Sequence, residues 1–195
     1  MAKHRNKNKK DSKVRKELML KQKRYLKKYP WFSDGDLFSN KRYSSYVTVP
    51  KGWMRSFGSI LLKELDKAIK KYELNNYCIL QIKEKYGSLR WYDYGGNNAT
   101  SEIVGKFENL SQNICLICGK PDVGYLKHGW IYPVCKSCYK KTNYKIPYEE
   151  AIDTEDTTMS DTYTYRTFKH DEIETVVVDC SEYARMIRNK WYKRR

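Results

Sequence analysis

Two Cys-x-x-Cys pairs, Cys115/Cys118 and Cys135/Cys138, stand sixteen residues apart and constrain this chain more than any other stretch. They hold four of its six cysteines. A structural site for a soft divalent metal takes four ligands in a tetrahedron, and two thiolates three positions apart can share one edge of it. Gly119 directly follows the first pair and permits the tight bend of a metal knuckle. Between the pairs lie Val123–Lys127 and Trp130–Val134, with His128–Gly129 joining them, which is enough for one short hairpin. Cys135-Lys-Ser-Cys138 then falls at the start of a helix, whose free N–H groups favour thiolates. With four thiols at hand, His128 reads as a turn residue and not a ligand.

This order of knuckle, hairpin and helix resembles a treble clef, with a zinc ribbon as the second choice. The expected ion is a structural Zn2+ held by Cys115, Cys118, Cys135 and Cys138. Disulfides or a free-thiol core are the alternatives, and paired Cys-x-x-Cys in a reducing compartment argues for metal. Cys78 and Cys180 lie in separate apolar runs and read as ordinary buried thiols.

The charge is uneven. The chain carries +16 overall across 195 residues. Residues 1–28 hold 13 lysines and arginines against Asp11 and Glu17, and residues 185–195 hold six with no acid. Residues 149–174 hold nine acids against Arg166 and Lys169. Basic ends point to a polyanion, nucleic acid or a nucleoprotein, with a solvated tail as the plain alternative. No apolar run approaches the roughly 20 residues that cross a bilayer, and the basic N-terminus lacks the apolar core of a secretory signal. The expectation is an intracellular protein with no membrane partner.

Along the chain, residues 1–30 predict a basic tail passing into a helix over about 12–29, ended by Pro30 and anchored by Trp31 and Phe32. Residues 31–114 predict an α+β core. Its strongest helix carries Trp53, Phe57, Ile60, Leu61, Leu65, Ala68, Ile69 and Tyr72 at spacings of three and four. Tyr77–Lys83 and Leu89–Tyr94 predict a hairpin reversing at Gly87. Thr100 or Ser101 is expected to cap the next helix, whose apolar face is Ile103, Phe107, Leu110 and Ile114. That helix delivers the chain to Cys115, so the four-cysteine zinc module, residues 115–145, is expected to be fused to the core. Residues 146–195 predict an acidic linker over 149–161, two strands joining the sheet of the 77–94 hairpin, and a basic helix capped by Ser181. The predicted fold class is α+β: a small mixed or antiparallel sheet with packed helices, a four-cysteine module like a treble clef or zinc ribbon, and a basic N-terminal helix or tail.

The residues expected to meet a partner are Lys13, Arg15, Lys16, Lys23 and Arg24 near the start, Lys83, Lys85, Arg90, Trp91 and Tyr92 on the hairpin, and Arg185, Arg188, Arg194 and Arg195 at the end. Cations among aromatic rings can stack bases. No catalytic set is evident. Nucleases built on a treble clef need a histidine base and further ligands for a catalytic metal, whereas Tyr139 stands where such a histidine is often found and the chain has only His4, His128 and His170. Gln81-x-Lys83 with Asp66 upstream is a fainter likeness to a restriction-type core. A metal-dependent nuclease is therefore a minor alternative to a non-enzymatic protein.

The strings Lys51-Gly-Trp-Met-Arg-Ser-Phe-Gly58, Gln81-Ile-Lys-Glu-Lys-Tyr-Gly-Ser-Leu-Arg-Trp-Tyr92, Cys115-x-x-Cys-Gly-Lys-Pro121, Gly129-Trp130 and Cys135-x-x-Cys138 together resemble an uncharacterised family of small tailed-bacteriophage proteins, over about residues 50–140. The resemblance implies a phage origin and a place in the host cytoplasm, and it brings no activity. It opens two further alternatives, a protein that binds and inhibits a host protein of transcription, replication or antiviral defence, and a virion or assembly component.

Overall fold

The computed structural model describes residues 20–21, 23–34, 43–44, 49–121, 123, 125–127, 131–142, 148–149, 162–169 and 172–192. A mixed four-stranded sheet runs in the order β2 (Tyr43–Ser44), β1 (Ser33–Asp34), β3 (Cys78–Lys85), β4 (Ser88–Tyr94). β1 is antiparallel to β2 and parallel to β3. The predicted hairpin is β3–β4, with a bulge between Ile79 and Gln81. Its reversal uses positive φ at both Tyr86 (52°) and Gly87 (78°), the geometry that a two-residue turn needs to follow the twist of its strands. Glu84 closes the turn by accepting from Gly87 N at 2.7 Å.

Residues 20–21 and 23–28 are helical and make up α1. It ends at Pro30 as the sequence requires, and Tyr29 and Phe32 beyond it are buried. The main helix begins earlier than its apolar spacing indicates, at α2 (Lys51–Trp53), and passes through a π-helical stretch (Met54–Gly58) into α3 (Ser59–Lys71). Trp53, Phe57, Leu61, Leu62 and Leu65 are buried along it, while Tyr72 at its end is exposed. α4 (Asn98–Ser111) is capped one turn before the expected residues. Asn97 accepts from Thr100 N, and Thr100 Oγ1 accepts from Asn97 N, so Thr100 is the reciprocal partner and not the cap.

One core unites these elements. Phe57, Phe107 and Tyr183 form a run of ring contacts, with centroids 5.3 and 4.9 Å apart. Phe32 stacks on Trp91 at 5.9 Å. α6 (Ser181–Tyr192) joins the same core through Ala184 and Ile187. Its first N–H is met by Asp179 Oδ1, which accepts from Ser181 N at 2.7 Å, so the cap comes from Asp179 instead of Ser181.

The two C-terminal strands, β8 (Thr162–Lys169) and β9 (Glu172–Asp179), do not extend the main sheet. They pair with each other along their full length as a separate two-stranded sheet. At the β4 edge of the main sheet, α4 already stands where a further strand would pair. Leu89 N donates to Ser111 Oγ and Trp91 N to Glu108 Oε1, each at 2.8 Å, so the edge donors have side-chain partners and no strand is needed. A third small sheet surrounds the cysteine segment: β5 (Tyr125–Lys127) between β6 (Ile131–Pro133) and β7 (Tyr148–Glu149). The chain thus returns to the module at residues 148–149, past the boundary at 145 that the sequence indicates, and the acidic linker begins inside a strand.

Candidate metal centre

Ile114, the last apolar residue of the α4 face, forms an isolated bridge with Pro121, and the six residues between them make the knuckle. Gly119 N donates to Cys115 O and Cys115 N to Lys120 O, both at 2.8 Å. Gly119 has φ +85°, a conformation that its lack of Cβ makes accessible. Leu116 N donates to Pro133 O and so ties the knuckle to the end of β6, from which Cys135 follows two residues on. α5 (Lys136–Thr142) carries Cys138 in its first turn, and Tyr139 N donates to Cys135 O.

The four sulfurs of Cys115, Cys118, Cys135 and Cys138 lie within 4.8 Å of one another, and none is in a disulfide. Cys118 Sγ and Cys135 Sγ are 3.6 Å apart. A disulfide would need about 2.05 Å. Four sulfurs at about 2.3 Å from a central ion would be separated by about 3.8 Å, close to the spacing of the Cys118–Cys135 pair. Val123, Val134, Tyr132 and Tyr139 pack around the cluster. Burial raises the Cys118 thiol to about 11 and raises Cys138 as well, each also held up by its sulfur neighbours. For Cys115, burial acts in the same direction, but backbone N–H groups of Cys118, Cys135 and Ile117 outweigh it and lower the thiol. Without an ion the surroundings thus favour neutral thiols at Cys118 and Cys138 and a thiolate at Cys115, and a bound cation would supply the charge that stabilises all four as thiolates.

The cluster is fastened to the core by the stretch 51–58. Gly52 N donates to Leu116 O at 2.8 Å, Trp53 Nε1 to Ile114 O at 3.0 Å, and Arg55 Nη1 reaches Cys118 O at 3.4 Å. A Cβ on Gly52 would collide with Cys115 O, and one on Gly119 with Gly52 O. The two glycines thus let one backbone lie against the other. On the far side, Lys190 Nζ of α6 donates to Arg55 O and Ser56 O, each at 2.7 Å. The motif strings 51–58 and 115–121, distant in sequence, are two halves of one contact. Sequence reasoning missed Gly52, Trp53 and Lys190 as supports of the site; the glycine-bracketed string at 51–58 was a usable signal, whereas nothing in the local sequence marks Lys190.

No family model, curated protein or solved structure matches this chain. Its site therefore has to be read from its own geometry.

The other expected contact residues divide into three groups. Lys23 and Arg24 on α1, Lys85 at the hairpin end and Arg185 on α6 are exposed, and Arg188 is half-buried. On the hairpin, Lys83 and Arg90 stand directly opposite each other, and Gln81 opposite Tyr92. Arg90 is 3.5 Å from Glu108, and Lys83 Nζ lies 5.2 Å from the Tyr92 ring centroid. Trp91 is a correction. It faces the core at 7% exposure with its Nε1 donated to Tyr77 Oη, because alternation along β4 turns it inward between Arg90 and Tyr92. Lys13, Arg15, Lys16, Arg194 and Arg195 lie outside the described residues, as do His4, His128 and His170.

The faint restriction-type set is engaged in ordinary pairings. Lys83 Nζ donates to Gln81 Oε1 at 2.8 Å, and Asp66 accepts from Trp31 Nε1 and from Lys70 Nζ. Cys180 is buried in the core and Cys78 is half-buried, away from the four-cysteine cluster. No helix among the described residues is long and apolar enough to cross a membrane.

Proposed function

We propose that this is a non-enzymatic protein in which a structural Zn2+, held by Cys115, Cys118, Cys135 and Cys138 in a treble-clef-like module, stiffens a basic domain that binds nucleic acid or a nucleic-acid-processing complex. The observation that carries the reading is the pair Lys83 and Arg90, placed directly opposite each other on the outward side of the β3–β4 hairpin. Like charges in that position cost stability. Of the two cations, Glu108 reaches only the arginine, and at 3.5 Å. A phosphate over this pair would be attracted by both cations. The exposed cations of α1 and α6, together with the net charge of +16, support the same sign of partner.

The four thiolates complete a tetrahedron and leave no open position for a substrate, which supports a structural and not a catalytic ion. The likeness of the 51–58, 81–92 and 115–138 strings to small phage proteins supports a bacteriophage origin and action in the host cytoplasm.

Fluorescence anisotropy with labelled duplex DNA, single-stranded DNA and RNA tests the reading. Affinity is expected to fall with added salt at a log–log slope of about −2 or steeper, since each neutralised phosphate contributes about 0.7 to 0.9. Absence of salt-dependent binding to every polynucleotide would overturn it.

A further inference from the structure

We infer that the outward side of the β3–β4 hairpin is a stacking platform for single-stranded nucleic acid, with Tyr92 and Tyr94 as the base-stacking positions and Lys83 and Arg90 as the phosphate seat. The inference rests on the nucleic-acid reading above and narrows it to one surface and one form of the polymer.

The two tyrosines are not core residues. The inward side of the hairpin is filled by Ile79, Ile82, Leu89 and Trp91, all 7% exposed or less, whereas Tyr92 and Tyr94 are 44% and 62% exposed. They are two residues apart on one strand, so they project to the same side about 7 Å apart. The acids of the hairpin alternate to the other side. Glu84 pairs with Leu89 and closes the turn, and Asp93 accepts from Tyr77 Oη at 2.7 Å. What remains outward is cationic, aromatic or neutral: Gln81, Lys83, Arg90, Tyr92 and Tyr94.

Rings and cations in such alternation suit an unpaired strand. Every unpaired base offers a π-face to a tyrosine ring, and its phosphate lies within reach of the neighbouring cation. A duplex hides those faces within its own stack and could use only the two charges. Lys83 Nζ lies 5.2 Å from the Tyr92 ring centroid, so a cation and a ring are presented side by side, with the opposite face of the ring left for a base.

Two double variants, Tyr92→Ala/Tyr94→Ala and Lys83→Gln/Arg90→Gln, separate the contributions on labelled oligothymidylate, oligouridylate and a duplex of equal length. The tyrosine variant is expected to weaken single-strand binding about tenfold or more for each ring, with its salt slope unchanged. The cation variant is expected to reduce that slope by about 1.4. Tyr92→Phe/Tyr94→Phe should bind like the unaltered protein, because stacking needs the ring and not the hydroxyl. Photocross-linking of the unaltered protein to 4-thiouridine RNA or 4-thiothymidine DNA, mapped by mass spectrometry, should mark the peptide spanning Arg90–Tyr94, and this holds even if a variant misfolds. Single-strand affinity untouched by the tyrosine change, duplex affinity equal to or above single-strand affinity, or cross-links confined to other segments would overturn the platform while leaving salt-dependent binding intact. Loss of salt-dependent binding altogether would overturn both readings.

Discussion

Gly52 and Gly119 meet backbone to backbone, and the metal knuckle depends on that meeting. Neither position accepts a side chain: a Cβ on Gly119 is opposed by Gly52 O, and φ +85° is strained for any L-residue. Gly119→Ala is therefore expected to cost about 3 kcal/mol, at the upper end of ordinary substitutions, read from the midpoint of denaturant unfolding. The same change should also speed metal release to a chelator. At this scale the clustering of Cys115, Cys118, Cys135 and Cys138 was legible, because thiol spacing is a local property of the sequence. Trp91 was not. Its neighbours Arg90 and Tyr92 face outward, and only the register of the pairing decides which of three polar-looking aromatic and basic residues turns in.

The edge of β4 shows how one helix can settle a sheet. Ser111 and Glu108 lie on a helix as ordinary polar positions, yet their oxygens take the two N–H groups that a fifth strand would have used. Pairing of β8–β9 at this edge is thereby excluded, and no reading of strand propensity along 162–179 could have found it. The helices and the hairpin themselves were legible, since apolar periodicity and the Tyr86–Gly87 turn are local signals. The π-helical stretch was not, and it coincides with tertiary contacts invisible to local sequence: the knuckle on one side and Lys190 on the other.

The Glu108 carboxyl at this edge sits above its ordinary value of 4.5, raised by burial and only partly brought back by Trp91 N–H and Arg90. A carboxyl raised on folding binds more protons in the folded state than in the unfolded one. Its contribution to stability is thus complete below about pH 4.5 and is lost as pH climbs through the raised value. Glu108→Gln retains an acceptor for Trp91 N and cannot ionise. Relative to the unaltered protein, its unfolding midpoint is expected to improve as pH rises above about 4.5, in paired denaturation curves across that range. A constant difference across that range would show that Glu108 does not titrate there.

For the whole molecule, the cluster of cysteines and the main core are two apolar assemblies joined through residues 51–58 and Ile114. The purified protein is expected to carry one equivalent of zinc by elemental analysis. Stripping it should expose amides of 115–121 and 131–142 to hydrogen exchange, and those of 51–58 with them, since Gly52 N and Trp53 Nε1 are bonded to the knuckle. Protection of α3 and β3 should persist, because their partners lie in the other assembly. Uniform loss of protection across the chain would instead make the metal a requirement for the entire fold.

The contact of Lys190 with Arg55 and Ser56 joins positions 135 and 134 residues apart. During synthesis the 51–58 stretch and both cysteine pairs are made before α6, so a knuckle that closes on the nascent chain would do so without the Lys190 support. A nascent chain arrested before α6 should accordingly hold metal more loosely than the complete one. As such a chain is completed, the lysine would be the last contact to close on the 51–58 stretch.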